Sequence, residues 1–201
     1  MQPVTHALIV IDMQNDFCPS GALAVAGGDA LVPGINALMA QFRTVILTQD
    51  WHPAGHASFA SSQPGAAPMD VIRMPYGPQV LWPDHCIQGT MGAAFHAALR
   101  TDGDLILRKG CNPAIDSYSA FFENDHRTPT GLEGYLRTRG ITHLTLVGLA
   151  LDFCVNYSAV DAATLGFDVT VRTDLCRAID AGGSLDAAMA GMRDAGVALT
   201  A

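Results

Sequence analysis

Short apolar runs that alternate with helical segments constrain the fold of this chain more than any other feature. Unbroken apolar runs of this length are typical of strands buried on both faces of a parallel sheet. The strands are predicted at residues 5–13, 44–49, 105–108, 144–147, 169–172 and 197–200. The helices are predicted at residues 30–42, 93–99, 130–139, 156–165 and 184–195. This alternation predicts an α/β fold whose sheet is mainly parallel.

A long segment at residues 50–92 interrupts the alternation. It is rich in proline, glycine, histidine and serine and has little periodicity. Loops of this length inside a compact domain are usually functional. The chain has 201 residues, which suits one domain, and it shows no internal repeat or interdomain linker. We therefore predict a single domain over residues 1–201 with a functional loop at about residues 50–92.

Composition argues against several classes of partner. The formal net charge is −8 without a basic cluster, so nucleic acid is a poor candidate. The apolar runs are too short to cross a bilayer, and the first residues lack the positive region of a secretory signal. We therefore expect a cytoplasmic protein that does not bind membranes.

Cysteine usage points to a reducing compartment. The five cysteines form no C-x-x-C pair, which argues against a disulfide framework and a structural zinc site. They are Cys18, Cys86, Cys111, Cys154 and Cys176. Only Cys154 has a predicted role beyond packing.

Four polar side chains follow the ends of predicted strands. Asp12, Asp50 and Lys109 each stand at such an end, and Cys154 lies just past another. Ligands of open α/β sheets bind beyond the carboxyl ends of the strands. We therefore expect these four side chains to meet at one edge of the sheet and to form the active site.

Cys154 is the candidate nucleophile, because it lies where a predicted strand passes into a predicted helix. The helix dipole and the free N–H groups there favour a thiolate. Asp12 could act as its base, and Lys109, the only lysine, could hold the two charges together. The N–H groups of Ala150 and Cys154 could hold the oxyanion of a tetrahedral intermediate. The alternatives are a buried structural cysteine, a surface lysine and an aspartate that caps a loop.

This set of residues suits the hydrolysis of an amide. Attack of the thiolate on an amide carbonyl would give a thioester and release ammonia, and water would then hydrolyse the thioester.

The long segment contains candidate ligands for one divalent metal ion of the zinc, iron or manganese type. Asp50 and His52 are two residues apart, so on extended chain both can point the same way. His85 would supply the third ligand, which leaves positions open for water and substrate. His56 could be a further ligand, a support for a ligand or a loop packing residue. Short motifs of this kind also recur by chance in loops.

Aromatic residues near these motifs could hold a flat aromatic substrate. They are Phe17, Trp82 and Tyr118. The alternative for each is plain packing in the core or in a loop.

Five segments together resemble the nicotinamidases, the pyrazinamidase-active branch of the isochorismatase-like cysteine hydrolases. In chain order they are IDMQNDF at 11–17, TQDWHP at 48–53, WPDHC at 82–86, KG at 109–110 and GLALDFCV at 148–155. Each segment is short, but five in this order are highly specific. One difference is Leu151, where the family often has threonine, and this difference removes no catalytic atom.

The resemblance implies a six-stranded parallel sheet in a three-layer α/β/α sandwich. It implies a triad of Asp12, Lys109 and Cys154. It also implies a metal held by Asp50, His52 and His85 with waters, which meets the pyridine nitrogen of the substrate.

The resemblance further implies a cis peptide at Leu149–Ala150, which would aim the Ala150 N–H into the oxyanion hole. It places Phe17, Trp82, Tyr118 and Leu149 at the substrate. The implied reaction converts nicotinamide to nicotinate and ammonia in NAD salvage, with pyrazinamide as a further substrate. The identity of the metal, the choice among pyridine carboxamides and the formation of a homo-oligomer stay open.

Three alternatives compete with this interpretation. Another amidase of the superfamily would act on a carbamoyl or ureido compound, but such relatives generally lack the metal loop. An isochorismatase would cleave a vinyl ether, for which no cysteine is needed. A non-enzymatic thiol sensor or metal-binding protein would need a resolving partner for Cys154, which the spacing does not supply.

Overall fold

The computed structural model describes residues 2–201. Its strands are β1 (His6–Ile11), β2 (Thr44–Asp50), β3 (Val71–Met74), β4 (Gly77–Val80), β5 (Leu105–Lys109), β6 (His143–Leu149), β7 (Asp168–Arg177) and β8 (Ala198–Thr200). Its α-helices are α1 (Val32–Met39), α2 (Leu132–Thr138), α3 (Asn156–Thr164) and α4 (Ser184–Asp194). A π-helical segment, Leu151–Val155, connects β6 to α3.

Six strands form one parallel sheet in the order β5-β2-β1-β6-β7-β8. Side chains of β1 alternate between two cores, because successive residues of a strand point to opposite faces. Ala7, Ile9 and Ile11 pack in a core with residues of α2, α3 and α4. Leu8 and Val10 pack in a second core with residues of α1. The expected parallel α/β/α architecture is therefore confirmed.

Two details differ from the sequence-based prediction. The long segment contains an antiparallel hairpin of β3 and β4, which its prolines and weak periodicity did not reveal. Residues 93–99 form turns instead of the predicted helix. The reason is that other segments use their backbone groups: the Ala93 carbonyl accepts hydrogen bonds from Gln14 and Gln49, at 2.8 and 2.9 Å.

None of the helices in the described chain has the length and hydrophobicity that a bilayer-spanning helix requires.

Gly148 allows β1 and β6 to approach closely just before the candidate site. Its φ is +116°, and a Cβ built on it would lie 2.1 Å from the carbonyl oxygen of Ile11. We expect Gly148→Ala to lower the free energy of unfolding by at least about 3 kcal/mol, measured by urea denaturation. Gly134→Ala is the control, since that site in α2 is open and alanine should slightly stabilise the helix. Equal stabilities of the two variants would contradict the prediction.

Candidate active site

The carboxyl edge of the sheet brings together the residues that the sequence analysis placed there. Asp50 and Lys109 end β2 and β5 and lie opposite each other in the strand register. Asp12 follows β1 with a φ of +46°. Cys154 lies in the π-helical segment after β6. The parallel topology alone thus accounts for the meeting of the two carboxylates, the ammonium group and the thiol.

The Lys109 ammonium group is the centre of this cluster. Its Nζ lies 2.9 Å from Asp12 Oδ2 and 3.1 Å from Asp50 Oδ1. It lies 3.5 Å from Cys154 Sγ and donates to the Ser117 carbonyl at 2.8 Å. The side chain is fully buried. One cation therefore compensates two buried carboxylates and contacts the candidate nucleophile.

Asp12 has one oxygen that is held and one that can receive a proton. The Thr48 hydroxyl donates to Oδ1 at 2.6 Å and accepts the Asp12 N–H at 3.1 Å. Oδ2 is buried beside Lys109 and accepts no hydrogen bond of good geometry. Burial raises the pKa of Asp12, although Lys109 opposes this shift. A carboxylate with a raised pKa is a stronger base, so Asp12 suits the task of removing a thiol proton.

The Cys154 thiol is buried, and its surroundings favour the protonated form. Burial raises its pKa well above the ordinary value, Lys109 lowers it, and the carboxylates of Asp12 and Asp50 raise it further. This direction is opposite to the one expected from a helix N-terminus alone. Activation of the thiol therefore depends on a neighbouring base.

The turn that carries Cys154 is closed by backbone hydrogen bonds. The Leu149–Ala150 peptide is cis, as the resemblance implies. The Ala150 carbonyl accepts the N–H groups of Phe153 and Val155, each at 3.1 Å. Ala150 and Cys154 thereby lie on one tight turn at the wall of the same cavity.

Asp50, His52 and His85 are buried and form a group suited to a metal ion. Asp50 Oδ2 lies 3.0 Å from His52 Nε2 and 3.4 Å from His85 Nε2. The Nδ1 atom of His52 donates to the Gly110 carbonyl at 3.0 Å, and the Nδ1 atom of His85 donates to the Pro83 carbonyl at 2.8 Å. Both Nε2 atoms are thus turned toward the carboxylate, the arrangement that a divalent cation requires of histidine ligands.

Electrostatics favour a positive charge at this position. Burial disfavours the Asp50 carboxylate, but His52 and Lys109 hold the pKa of Asp50 well below its ordinary value. Burial likewise disfavours charged His52, yet Asp50 raises the pKa of His52 to about 9. The donor set and its charge therefore fit a divalent cation.

His56 has both ring nitrogens engaged by the loop. Its Nε2 donates to the Asn112 carbonyl at 2.7 Å, and its Nδ1 accepts the Ser58 N–H at 3.1 Å. Its ring lies 4.5 Å from that of His52, centroid to centroid. Among the three roles left open for His56, these contacts favour support of the His52 ring.

A cavity joins the candidate nucleophile to the candidate metal ligands. Its lining includes Phe17, Leu23, Asp50, Trp82, His85, Asp116, Tyr118, Ala150, Phe153, Cys154 and Ile179. The Trp82 indole donates to the Tyr118 hydroxyl at 3.1 Å, which fixes two of the aromatic walls. The described structure does not place Leu149 in this lining, because its side chain packs in the core on the α1 side.

Sequence reasoning missed several residues of the site. Asp116 and Phe153 line the cavity, and the only signal for either was proximity to Tyr118 or Cys154 in the chain. Gln14 holds the backbone of Asp50: Oε1 accepts its N–H at 2.7 Å and Nε2 donates to its carbonyl at 2.8 Å. The position of Gln14 within IDMQNDF was a signal that it belongs to the site.

Asp152 fixes the part of the cavity wall that contains Ile179. Its carboxylate accepts the N–H groups of Ile179 and Asp180, at 3.0 and 2.8 Å, and the hydroxyl of Ser184. Ile179, which lines the cavity, is thereby held beside the segment that carries Cys154.

Comparison with known proteins places this architecture among described families. Residues 6–201 match the model of the isochorismatase domain. A nicotinamidase of Acinetobacter baylyi is 54% identical over 192 residues, which cover 95% of this chain and 90% of that protein.

Solved structures agree with this match. A nicotinamidase and pyrazinamidase of Acinetobacter baumanii superposes with a TM-score of 0.98 at 51% identity, covering 100% of this chain and 97% of the other. The pyrazinamidase of Pyrococcus horikoshii in complex with zinc superposes with a TM-score of 0.78 at 32% identity, covering 98% of both chains.

Proposed function

The chain belongs to the isochorismatase domain family, within its nicotinamidases, and from this premise we propose that it hydrolyses nicotinamide to nicotinate and ammonia. One observation carries the proposal. Cys154, in contact with a lysine that also pairs with Asp12, lines the same cavity as the metal-ligand residues Asp50 and His85. The cavity also has the aromatic walls that a flat pyridine ring would fill.

The first half of the reaction makes a thioester. Asp12 Oδ2 takes the proton of the Cys154 thiol as sulfur attacks the carboxamide carbon and a C–S bond forms. The carbonyl oxygen becomes an oxyanion held by the N–H groups of Ala150 and Cys154. Asp12 then returns its proton to the amide nitrogen, the C–N bond breaks and ammonia leaves.

The second half regenerates the thiol. A water molecule gives a proton to Asp12 and attacks the thioester carbon. The C–S bond breaks and nicotinic acid leaves, which loses its proton to solvent as nicotinate, while the sulfur recovers its proton from Asp12. Lys109 stays charged throughout and stabilises the Asp12 carboxylate and the departing thiolate.

A divalent metal ion would be held by Asp50, His52 and His85, with waters completing its coordination. When bound, it would supply an electrophilic anchor for the ring nitrogen. Phe17, Trp82 and Tyr118 would enclose the ring. Pyrazinamide has a ring of the same size with a nitrogen at the matching position, so we propose it as a second substrate. The reaction would serve the salvage of NAD precursors.

Ammonia release from nicotinamide tests the proposal. The purified protein should release ammonia, and removal of bound metal with a chelator should lower the rate by at least about 100-fold. Zinc, iron(II) or manganese should restore the rate. Benzamide, which lacks the ring nitrogen, is the matched control and should be a poor substrate.

Two results would contradict parts of this proposal. Absence of nicotinamide turnover in protein shown to carry metal would exclude the proposed reaction. Full activity after metal removal would exclude the proposed role of Asp50, His52 and His85.

A further inference from the structure

Asp116 is a buried carboxylate to which the proposed reaction assigns no role. It lies in the loop after β5, is 2% exposed, and lines the cavity together with Asp50 and His85. Its Oδ1 lies 3.9 Å from His52 Nε2, the atom that also lies 3.0 Å from Asp50 Oδ2. Two carboxylates therefore face the same imidazole nitrogen.

The partners of Asp116 are neutral apart from this histidine. Its Oδ1 accepts the Ser117 N–H at 2.8 Å, and its Oδ2 accepts the Gln79 amide at 3.1 Å. In the described part of the chain, no lysine or arginine forms an ion pair with it. Once His52 is neutral, as a metal ligand must be, Asp116 is a buried carboxylate without a cationic partner, which is costly unless a cation binds beside it.

The charges around the cavity indicate which cation. Asp12, Asp50 and Asp116 contribute three buried carboxylates, and Lys109 contributes one ammonium group. With all four ionised and His52 neutral, the form in which histidine binds a metal, two negative charges stay uncompensated. A divalent cation would balance them, whereas a monovalent cation would not.

His56 does not complete a separate metal site with these residues. His52, His56 and Asp116 each offer one possible ligand atom, and these three atoms lie within 4.8 Å of one another. However, both nitrogens of His56 are hydrogen-bonded to the loop, at 2.7 Å to Asn112 and 3.1 Å to Ser58. Within the group of His52, His56 and Asp116, only Asp116 can contribute a negative charge to a cation bound beside His52.

We propose that Asp116 supports the metal site from beside His52, and that its charge strengthens the binding of the divalent cation at Asp50, His52 and His85. This inference rests on the metal site of the proposed function. In this proposal Asp116 increases the affinity for the metal ion and takes no part in proton transfer.

Metal affinity without substrate tests this role. Zinc dissociation constants would be measured by competition with a chromogenic chelator for the wild type, Asp116→Asn and Gln79→Leu. Asp116→Asn removes the charge at constant shape and should raise the dissociation constant about 10–100-fold. Gln79→Leu removes a hydrogen bond to Asp116 but keeps its charge, so it should leave the constant within about threefold of the wild type.

Thermal unfolding with and without zinc separates a metal-binding role from a structural one. The zinc-induced rise in Tm should be smaller in Asp116→Asn than in the wild type. An equal rise, or an unchanged dissociation constant, would overturn the role of Asp116 alone. Failure of the wild type to bind zinc, iron(II) or manganese would overturn the proposed metal site as well. Neither result depends on whether nicotinamide is the substrate.

Discussion

Replacing Cys154 with alanine is expected to lower nicotinamide hydrolysis by at least about 10⁴-fold while the protein stays folded. The reason is that the proposed thioester needs this sulfur, which lies 3.5 Å from Lys109 Nζ and lines the cavity. The base and the oxyanion donors stay in place in the variant. They can activate water only weakly, because water lacks the nucleophilicity of a thiolate.

Cys176→Ala is the matched control for this experiment. Cys176 is also a buried thiol, 2% exposed, and it lies in β7 opposite Gly148. Its loss should cost some packing energy but less than about tenfold in rate, because it takes no part in the proposed chemistry. Zinc affinity should be unchanged in both variants. A Cys154→Ala variant that keeps a tenth of the activity would exclude covalent catalysis by this residue.

Lys109→Met is expected to have the largest combined effect on stability and activity. Methionine fills a similar volume but leaves the carboxylates of Asp12 and Asp50 buried without their shared cation. Loss of one partner of a buried ion pair destabilises proteins by about 3–5 kcal/mol. Hydrolysis should fall at least about 10³-fold, since the charge that stabilises the carboxylate and the thiolate is gone.

The pH dependence of unfolding identifies the cause of this loss. Without Lys109, the pKa of Asp12 in the folded protein rises further above its unfolded value. The variant is therefore expected to regain stability relative to the wild type as the pH falls and Asp12 takes up a proton. Urea denaturation at pH 5 and pH 8 would measure the difference. A penalty that is the same at both pH values would show that lost packing, and not lost charge, destabilises the variant.

Two further variants complete the test of Lys109. The double variant Asp12→Asn, Lys109→Met should recover part of the stability without recovering activity, because it removes one unpaired carboxylate together with the base. Arg108→Met is the charge control. Arg108 is exposed at the same edge of the sheet, and its guanidinium stacks on Trp51 at 4.0 Å. Its replacement should change stability by less than about 1 kcal/mol.

The sequence was most informative where local pattern and topology agree. Buried parallel strands are recognisable in the sequence as apolar runs. Because the strands are parallel, their carboxyl ends lie at the same edge of the sheet. For this reason the sequence alone predicts that Asp12, Asp50 and Lys109 lie together, as they do in the structure.

The features that escaped prediction depend on tertiary contacts. Residues 93–99 have the composition of a helix. However, the side-chain amides of Gln14 and Gln49 donate hydrogen bonds to the Ala93 carbonyl, which ties this segment to the edge of the sheet. The Asp116 carboxylate accepts a hydrogen bond from Gln79, and Gln79 belongs to the hairpin of β3 and β4 that the sequence did not predict. Neither contact leaves a periodic trace in the sequence.

The direction of the Cys154 pKa also lay beyond local reasoning. The position at the start of a helix predicts a lowered pKa, whereas burial and the nearby carboxylates of Asp12 and Asp50 raise it. Leu149 illustrates the same limit for side-chain direction. It precedes the turn by one residue, and its side chain faces the core on the α1 side instead of the cavity.

The position of the only lysine also determines how this protein reacts with reagents that modify lysine side chains. Lys109 is 2% exposed, so the surface of the folded chain offers no lysine side chain for acylation or cross-linking. A reagent that modifies lysine would reach an ε-amine only after the proposed catalytic centre itself has opened. The residue that organises the ion pairs is thus also a natural chemical reporter of their integrity.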